Sequence, residues 1–506
     1  MQGNGATVML VAFYNKKALG VRYLETALKR AGYRVVTVFY KDFNSIRPKK
    51  TTEQELALLR EQIEKENPIL IGLSVMSSMY LDTVRLVMDT VTKNFTIPVV
   101  CGGVYATMFP EQLIESGAAY VIRADGERPI CMLADAICNK ANVSRIPSLC
   151  YKANGKVVCN ELGGISADID AYGLPAVHSE NACFIDEDAL VYGDPQLDTR
   201  SYEVVASRGC PFTCSYCCCV NLRRLFPKGT SYVRTRSVES VIEELKLAKR
   251  TCKKLVFVHF YDEIFPNLPG WVDEFIEAYQ KYIGLPFTIW SHPKIVDTDM
   301  LRKLVSAGLT EVIMGIQSGC EHIRKDVFHR YETQQDIISA TRAIRKAGVR
   351  WATYDFMLQH PFETTQDLQE TYWLVKRLYP PFALQLHGLN FLPGTDIVSL
   401  AIEQNYFTQE ELMSIMYAPM EEQFGTYWKR DGGAENRLWY QMIYCLQFRP
   451  LRRLMSGYEH EPVKYRRRIQ ACYWAAGQAF RMRQLQKKAH FVWKSIKMKH
   501  KGGGSK

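Results

Sequence analysis

The sequence has no uninterrupted apolar run of about eighteen residues, the length that a membrane-spanning helix needs. Near Met1 it also lacks the basic segment, apolar core and cleavage site of a secretory signal peptide. We therefore expect a soluble protein of the cytoplasm. Extended disorder is disfavoured as well, because 47% of the residues are hydrophobic and 23% are charged, as in ordinary globular chains.

The cysteines do not form the framework of a small secreted domain. Fifteen of them are scattered over 506 residues, which favours free thiols and metal ligands in a reducing compartment. At about 100 to 200 residues per domain, a chain of this length has room for roughly two to four domains.

Positive charge is concentrated towards the end of the chain. The formal net charge is +11, and lysine and arginine crowd the region that follows Arg452. Such a region could contact nucleic acid, an anionic membrane surface or an acidic partner, but an exposed helix that faces only water would have the same composition. Nucleic acid is the less expected partner, and peripheral membrane contact through the basic C-terminus stays open. Residues 502–506 read as a flexible tail or an expression linker.

Apolar runs and helical patterns alternate through residues 1–140. The runs are short and rich in branched residues, which is typical of parallel strands buried on both faces. They cover residues 7–14, 35–40, 69–75, 99–101 and 120–122. Helical spacing fills the gaps, and Thr52 with Glu55 matches a capping box. We predict an α/β fold whose first domain is a doubly wound, Rossmann-like sheet that binds its ligand beyond the carboxyl ends of the strands.

Residues 141–200 lose this alternation and contain several prolines, so we predict a connecting region. Over residues 201–400, six strand–helix units predict a parallel barrel or part-barrel with its chemistry at the carboxyl ends of the strands. The predicted strands cover residues 203–206, 255–260, 287–290, 312–315, 351–358 and 383–391. Residues 401–501 read as a mostly helical, basic region. Its aromatic residues could line a pocket but are better explained as packing; they are Tyr427, Trp428, Trp439, Tyr440 and Tyr444.

Three cysteines, Cys210, Cys214 and Cys217, directly follow the first strand of the second series. Thiolate is the ligand that iron–sulfur clusters and zinc both prefer. Three protein ligands on a four-iron cubane leave one iron open to a small molecule, whereas a structural zinc ion takes four ligands. Zinc would need Cys218 or Cys219 as its fourth ligand, and no second cysteine pair lies at zinc-ribbon spacing. The motif therefore favours a [4Fe-4S] cluster.

The Cys-x3-Cys-x2-Cys spacing, with Tyr216 before the third cysteine, resembles the signature of the radical S-adenosylmethionine (SAM) superfamily. The resemblance implies a partial (β/α)6 barrel. It further implies that SAM binds the open iron, partly through Tyr216, and is cleaved to a 5′-deoxyadenosyl radical. A reductant such as flavodoxin or ferredoxin is implied as a partner.

Other positions resemble the SAM-binding elements of that family. Asp262 and Glu263 match the acidic element that takes the methionyl amino group. Arg330 could pair with the methionyl carboxylate, although an ordinary surface arginine is an equal alternative. Residues 315–319 resemble a Gly-Ile-Glu-Ser-Gly element, which implies SAM contacts from Gly315, Gln317 and Ser318, with Gln317 in place of the commoner glutamate.

A later segment departs further from the family pattern. Residues 359–364 resemble a Gly-x-Pro-Gly-Glu-Thr turn in which Gln359 and Phe362 replace both glycines. The implied consequence is a bulkier loop that faces the substrate.

The first domain does not have the pattern of a dinucleotide-binding domain. Its first βα turn lacks the glycine spacing that admits a pyrophosphate. Instead, residues 71–78, 99–111 and 125–127 resemble the cobalamin-binding domain of the B12-dependent radical SAM enzymes, in which small residues leave a slot for the cobalamin tail. The implied contacts are Ser74, Val75, Met76, Ser77, Gly102, Gly103, Thr107, Gly126 and Glu127. Because residues 1–140 contain no histidine, this domain offers no histidine ligand to cobalt.

The combined resemblance implies a C-methyltransferase that acts on an unactivated carbon of a small molecule or natural product. The 5′-deoxyadenosyl radical would remove a hydrogen, and methylcobalamin would supply the methyl group. One alternative is a non-methylating rearrangement or oxidative cyclisation with the same cofactors. The other is a cobalamin or iron–sulfur sensor, which is disfavoured because a sensor has no need of the SAM-binding elements.

Overall fold

The computed structural model describes residues 5–44, 48–423 and 433–502. The aromatic residues Tyr427 and Trp428 and the tail from residue 503 lie outside the described residues. The first part of the chain forms a doubly wound sheet with a parallel centre in the order β5-β4-β3-β1-β2. Its strands are β1 (Thr7–Phe13), β2 (Arg34–Tyr40), β3 (Leu70–Ser74), β4 (Val99–Gly102) and β5 (Tyr120–Ile122). Six of the seven residues of β1 and of β2 are buried, which explains why these strands read as unbroken apolar runs.

Helices cover both faces of this sheet. They are α1 (Leu19–Arg30), α2 (Glu53–Glu66), α3 (Leu81–Asn94), α4 (Val104–Met108), α5 (Pro110–Glu115) and α6 (Glu127–Cys138). The capping box of Thr52 and Glu55 is present at the start of α2, as the sequence predicts.

The segment that the sequence predicts as a connection contains two hairpins that widen the sheet to nine strands. One hairpin, β6 (Leu149–Ala153) and β7 (Lys156–Cys159), extends the β5 edge, and the other, β8 (Ala182–Asp186) and β9 (Ala189–Tyr192), extends the β2 edge. Cys150 and Cys159 face each other across the first hairpin and form a disulfide. The expectation of free thiols throughout is therefore wrong for this pair.

The second sheet is parallel throughout, in the order β10-β13-β14-β15-β16-β17, and forms the predicted partial (β/α)6 barrel. Its strands are β10 (Ser201–Val204), β13 (Phe257–Phe260), β14 (Phe287–Ser291), β15 (Leu309–Gln317), β16 (Trp351–Met357) and β17 (Ala383–His387). A short antiparallel pair, β11 (Ser207–Arg208) and β12 (Arg234–Thr235), follows β10. The helices are α7 (Cys218–Arg224), α8 (Val238–Thr251), α9 (Pro269–Tyr282), α10 (Thr298–Ala307), α11 (Gln334–Lys346) and α12 (Thr365–Arg377).

Alternate residues of the barrel strands face opposite sides. Val258, Phe260, Tyr354 and Phe356 belong to the core between strands and helices, so the residues between and beyond them face the inside of the barrel. On that side, Tyr261, Gln385 and His387 are exposed. The barrel therefore encloses an open space lined by side chains, which we call the lumen.

The rest of the chain is helical: α13 (Asp396–Glu403), α14 (Gln409–Met416) and the helices Gly433–Cys445, Arg449–Ser456 and Arg466–Gly502. Trp439 is buried in the barrel core, in agreement with a packing role. Phe362 is buried as well, and its ring contacts that of Tyr406 with 4.9 Å between centroids. The Phe362 side chain therefore packs against the apolar surface of the C-terminal helices, and a bulkier loop that faces the substrate stays a prediction. No described helix is long and apolar enough to cross a bilayer.

A buried ion pair ties α1 to the segment before the barrel. Arg22 donates to both carboxylate oxygens of Asp194 at 2.8 Å, and both side chains are fully buried. We expect Asp194→Ala to lower the free energy of unfolding by about 3–5 kcal/mol, because it leaves the Arg22 charge buried without a partner. Urea denaturation measures this. The control Asp198→Ala removes an exposed pair with Lys254 and should cost under about 1 kcal/mol; equal losses would contradict the assignment.

Candidate functional site

The three motif cysteines lie on one loop between β11 and α7, at the carboxyl end of the first barrel strand. Ser215 fastens the loop to the segment after β15, since its amide donates to the Phe328 carbonyl at 3.1 Å and its hydroxyl to the Val327 carbonyl at 2.6 Å. Gly209 begins the loop at φ +93°, and a Cβ there would lie 2.5 Å from the Tyr232 carbonyl oxygen. Glycine is therefore required at this position.

The cysteine sulfurs are partly exposed and lie within electrostatic reach of one another. The pKa of Cys210 is raised to about 11, chiefly by burial and to a smaller extent by the nearby sulfurs of Cys214 and Cys217. Among the residues that the structure describes, no three His, Cys, Asp or Glu side chains surround a single-ion position. Three thiols on one fixed loop suit the wide corners of a cubane.

Arg330 is buried, so the surface-arginine alternative is wrong. Its Nη2 donates to the Gly315 carbonyl at 2.7 Å, and its Nη1 contacts the Tyr216 hydroxyl at 3.3 Å and the Cys214 sulfur at 3.8 Å. On its other side, Nε donates to Glu332 at 2.6 Å. One guanidinium thus joins the cysteine loop to the end of β15, where the predicted SAM contacts lie.

Sequence reasoning missed the residues that hold Arg330 in place. Although burial opposes ionisation of Glu332, the imidazole of His292 and the charge of Arg330 hold the pKa of that carboxyl at about 2. His292 in turn stacks on Phe212 of the cysteine loop, with 3.7 Å between ring centroids. These side chains come from separate barrel units. The only signal in the sequence was the position of Glu332, two residues after Arg330, which is compatible with an ion pair between them.

The predicted acidic element divides into two roles. Asp262 Oδ1 accepts hydrogen bonds from the Ala206 amide, the Ser207 amide and the Ser207 hydroxyl at 2.9, 2.6 and 2.6 Å, so it holds the start of the cysteine loop. Its Oδ2 is buried without a hydrogen-bond partner among the described residues, and burial raises the pKa of the carboxyl to about 7. Glu263 is exposed and lies 3.9 Å from the Cys219 sulfur. Contact of either carboxylate with SAM stays a prediction.

The end of β15 is shaped around Gly315. Gln317 has φ +70°, and its amide nitrogen would lie 2.6 Å from a Cβ on Gly315, so the amide covers the glycine. Ser318 is fully buried, and its hydroxyl accepts from the Cys320 amide at 3.1 Å. Gly319 contacts Thr371 so closely that a Cβ would lie 2.2 Å from its Cα. Ser318 thus holds the backbone, and SAM contacts from Gly315, Gln317 and Ser318 stay predictions.

A cavity of about 220 Å³ opens beyond the carboxyl ends of the first sheet. Of the nine predicted cobalamin contacts, six line it: Ser74, Met76, Gly102, Gly103, Gly126 and Glu127. Gly103 has φ +108°, and a Cβ there would lie 2.7 Å from the Val75 carbonyl oxygen. The cavity matches the expected slot between small residues at successive strand ends.

The other three predicted contacts stand behind the cavity wall. Val75 is fully buried, and its carbonyl accepts from the Tyr105 amide at 3.1 Å. Thr107 donates to the Gly103 carbonyl at 2.8 Å, and Ser77 accepts from the Met79 amide at 3.3 Å. These residues shape the turns that carry the lining, and their direct contact with cobalamin stays a prediction.

An ionic cluster joins the cavity to the cysteine loop. Arg208, two residues before Cys210, donates to Asp125 at 3.2 Å and to Glu127 at 2.6 Å, and Arg234 donates to Asp125 at 2.6 Å. Although burial opposes ionisation of Asp125, the two arginines hold the pKa of its carboxyl below the ordinary value. Arg208 also lines the cavity. The cavity and the cysteine loop are thus fixed relative to each other by charge pairs.

We expect Arg208→Gln to destabilise the protein by about 3 kcal/mol, because two largely buried carboxylates lose a cation. Hydrogen exchange at Ser207 to Gly209 should become faster, since this variant frees the start of the loop. The control Arg224→Gln breaks an exposed pair with Asp396 and should change stability by less than about 1 kcal/mol. Unchanged exchange in Arg208→Gln would contradict the proposed fastening.

Comparison with known families assigns both the domain that contains the cavity and the barrel that carries the cysteine loop. Residues 5–134 match the model of the B12 binding domain, and residues 204–375 match that of the Radical SAM superfamily. The chain belongs to the B12-binding radical SAM enzymes. It is therefore an enzyme of this family rather than a sensor, and its cofactors are a [4Fe-4S] cluster, SAM and cobalamin.

Relatives and solved structures agree with this membership. An uncharacterized methyltransferase of Pyrococcus horikoshii is 26% identical over 68% of this chain and 71% of its own length. The anaerobic magnesium-protoporphyrin IX monomethyl ester cyclase of Cereibacter sphaeroides is 24% identical over 72% of this chain, which spans only 57% of the cyclase. The fold is shared with the radical SAM methyltransferase TsrM of Kitasatospora setae (TM-score 0.62, 19% identity, 79% and 76% of the two chains) and with OxsB (0.63, 13%, 99% and 84%).

The side chains present fit the cofactors of the family. Cys210, Cys214 and Cys217 offer three sulfurs on a fixed loop, and Asp262 offers a buried carboxylate oxygen that lacks a partner among the described residues. The cavity offers a slot where glycine is required by close approach of the backbone. We assign the cluster, SAM and cobalamin to these places as predictions.

Proposed function

We propose that the protein is a C-methyltransferase that acts on an unactivated carbon of a small molecule or natural product. Two relatives support this proposal, because one is named a methyltransferase and another a tryptophan 2-C-methyltransferase. The observation that carries it is the cavity of the first domain, which reaches Val205 and Arg208 at the start of the cysteine loop. In this proposal the sources of the methyl group and of the radical would face one another across one space.

The side chains of the lumen would hold the substrate in that space. Trp290 donates to His259 at 3.0 Å, and burial lowers the pKa of His259 to about 4, so this imidazole stays neutral and fixes the indole. Tyr261 packs edge-on against Trp290 and is exposed to the lumen. Asp355 lies opposite Gly315 on the neighbouring strand, and its buried Oδ1 has no hydrogen-bond partner among the described residues. An aromatic wall and one carboxyl group would orient a substrate that has both apolar and polar parts.

When bound, the reduced cluster with SAM supplies a hydrogen-abstracting radical, and cobalamin supplies the methyl group. The chain itself has to position and enclose the reacting carbon. Arg330 fixes the cysteine loop relative to β15, and Arg208 fixes it relative to the cavity. We further propose an electron donor such as flavodoxin or ferredoxin, and a place in the cytoplasm.

Product analysis with anaerobically reconstituted enzyme tests the proposal. A screen of candidate substrates should give S-adenosylhomocysteine together with 5′-deoxyadenosine, and a product heavier by about 14 mass units, one methylene equivalent. Radical formation without S-adenosylhomocysteine in every productive reaction would exclude methylation.

Oxidative cyclisation is the second candidate, and the cyclase relative favours it. It uses the same three cofactors, so the site geometry does not separate the two reactions. The product mass separates them, because cyclisation removes hydrogens or adds oxygen, whereas methylation adds carbon.

A further inference from the structure

The final helix, Arg466–Gly502, is fastened to the barrel along one face. Ile469 and Ala476 are fully buried in the barrel core. Further along, the ring of Phe491 stacks on Phe257 with 4.7 Å between centroids, and Lys487 forms an ion pair with Glu311 at 2.5 Å. These contacts fall at the beginnings of β13 and β15. The helix therefore lies at the amino ends of the strands, opposite the cysteine loop.

The opposite face of the same helix carries a stripe of large apolar side chains. Trp474, Leu485 and Ile496 are 69%, 66% and 52% exposed. They recur every eleven residues, about three helical turns, so they lie on one side. Met482 and Trp493 are 63% and 55% exposed and lie eleven residues apart beside them. Over about 33 Å of helix, such a row of exposed apolar side chains marks an interaction surface.

The charged residues of this helix have one sign only. The helix Arg466–Gly502 contains eleven lysines and arginines and no aspartate or glutamate. Some of these cations face the barrel, as Lys487 does in its ion pair with Glu311. Others are exposed, namely Arg467, Arg468, Arg481 and Lys488. An exposed apolar stripe flanked by cations is the pattern of a helix that lies in the surface of an anionic bilayer. A second copy of the helix would bring like charges together, which disfavours self-association.

We propose that the outer face of Arg466–Gly502 binds the surface of an anionic lipid bilayer, with Trp474, Leu485 and Ile496 in the interface and the flanking cations on the lipid headgroups. In this arrangement the helix lies in the plane of the membrane surface, and no described helix is long and apolar enough to cross the bilayer. The cysteine loop and the cavity lie at the other end of the barrel strands, so the bound membrane leaves them accessible. This inference does not depend on the methylation proposal.

Vesicle sedimentation of the full-length protein tests the inference. The chain should pellet with vesicles of phosphatidylcholine that contain about 30% phosphatidylglycerol and stay in solution with phosphatidylcholine alone. Trp474→Ser with Leu485→Ser should weaken binding at least about 10-fold, because two apolar anchors are lost. Arg481→Gln with Lys488→Gln should weaken it about fivefold for each charge removed.

A matched control replaces two exposed apolar residues elsewhere, Val191→Ser with Leu268→Ser, which are 58% and 52% exposed in the wild type. This variant should bind vesicles as the wild type does, and thermal unfolding should show all variants folded. Wild-type protein that stays in solution with anionic vesicles, or a stripe variant that binds equally well, overturns the inference. So does a dimer in light scattering that the stripe variant alone abolishes in the absence of lipid, because the stripe would then bind a second copy.

Discussion

Cys214→Ala is expected to abolish both cluster binding and SAM cleavage. A cubane held by three thiolates has no replacement ligand at the lost corner, because the Cys214 sulfur faces the guanidinium of Arg330 at 3.8 Å, and a cation does not bind iron. After anaerobic reconstitution, iron and sulfide per chain should fall to background, and 5′-deoxyadenosine should be undetectable. The same loss is expected for Cys210→Ala and Cys217→Ala.

Cys218→Ala is the matched control, because Cys218 is adjacent in sequence but begins α7. It should keep iron content and SAM cleavage close to those of the wild type. If Cys218→Ala lost the metal together with the three motif variants, four sulfurs would be ligands, and the zinc alternative would return. If Cys214→Ala kept iron and cleaved SAM, the cysteine loop would not be the cluster site.

The parallel strands could be predicted from sequence because both of their faces are buried. In β1 and β2 nearly every residue faces either the helices above or those below, so the sequence is apolar without a break. The hairpins at the sheet edges lacked this signal. β7 alternates between exposed and half-buried residues, and β9 has no buried residue, so their four-residue segments look like loops.

The candidate site divides in the same way. The cysteine loop and the glycine turns could be found because their ligands or their geometry require residues at fixed spacing in one segment. The side chains that hold Arg330 in place could not be found from sequence. Phe212, His292 and Glu332 lie far apart in the chain and come together only when the barrel folds. At Gln359 the backbone keeps φ +58° without glycine, and its amide donates to Glu363 at 3.0 Å. The turn therefore keeps its backbone conformation although Gln359 replaces the glycine of the family pattern.

Gly102→Leu is expected to remove cobalamin binding without unfolding the protein. Gly102 lines the cavity at the end of β4, and the nearest atom to a Cβ there, the Ile122 carbonyl oxygen, would be 3.9 Å away. The leucine side chain therefore causes no clash at its Cβ, but it extends into a cavity of only about 220 Å³. Corrinoid bound after reconstitution, measured by its visible absorbance, should fall about 10-fold or more, because the displaced ligand has no second slot.

Gly164→Leu is the control, since Gly164 is exposed and nothing lies within 4 Å of its Cβ position. This variant should bind cobalamin as the wild type does and unfold at the same temperature. Gly102→Leu should also keep its iron content, because the cysteine loop is fastened by Asp262 and Ser215, away from Gly102. Full corrinoid binding by Gly102→Leu would move the cobalamin site away from this cavity, whereas loss of both cofactors would indicate misfolding of the first domain.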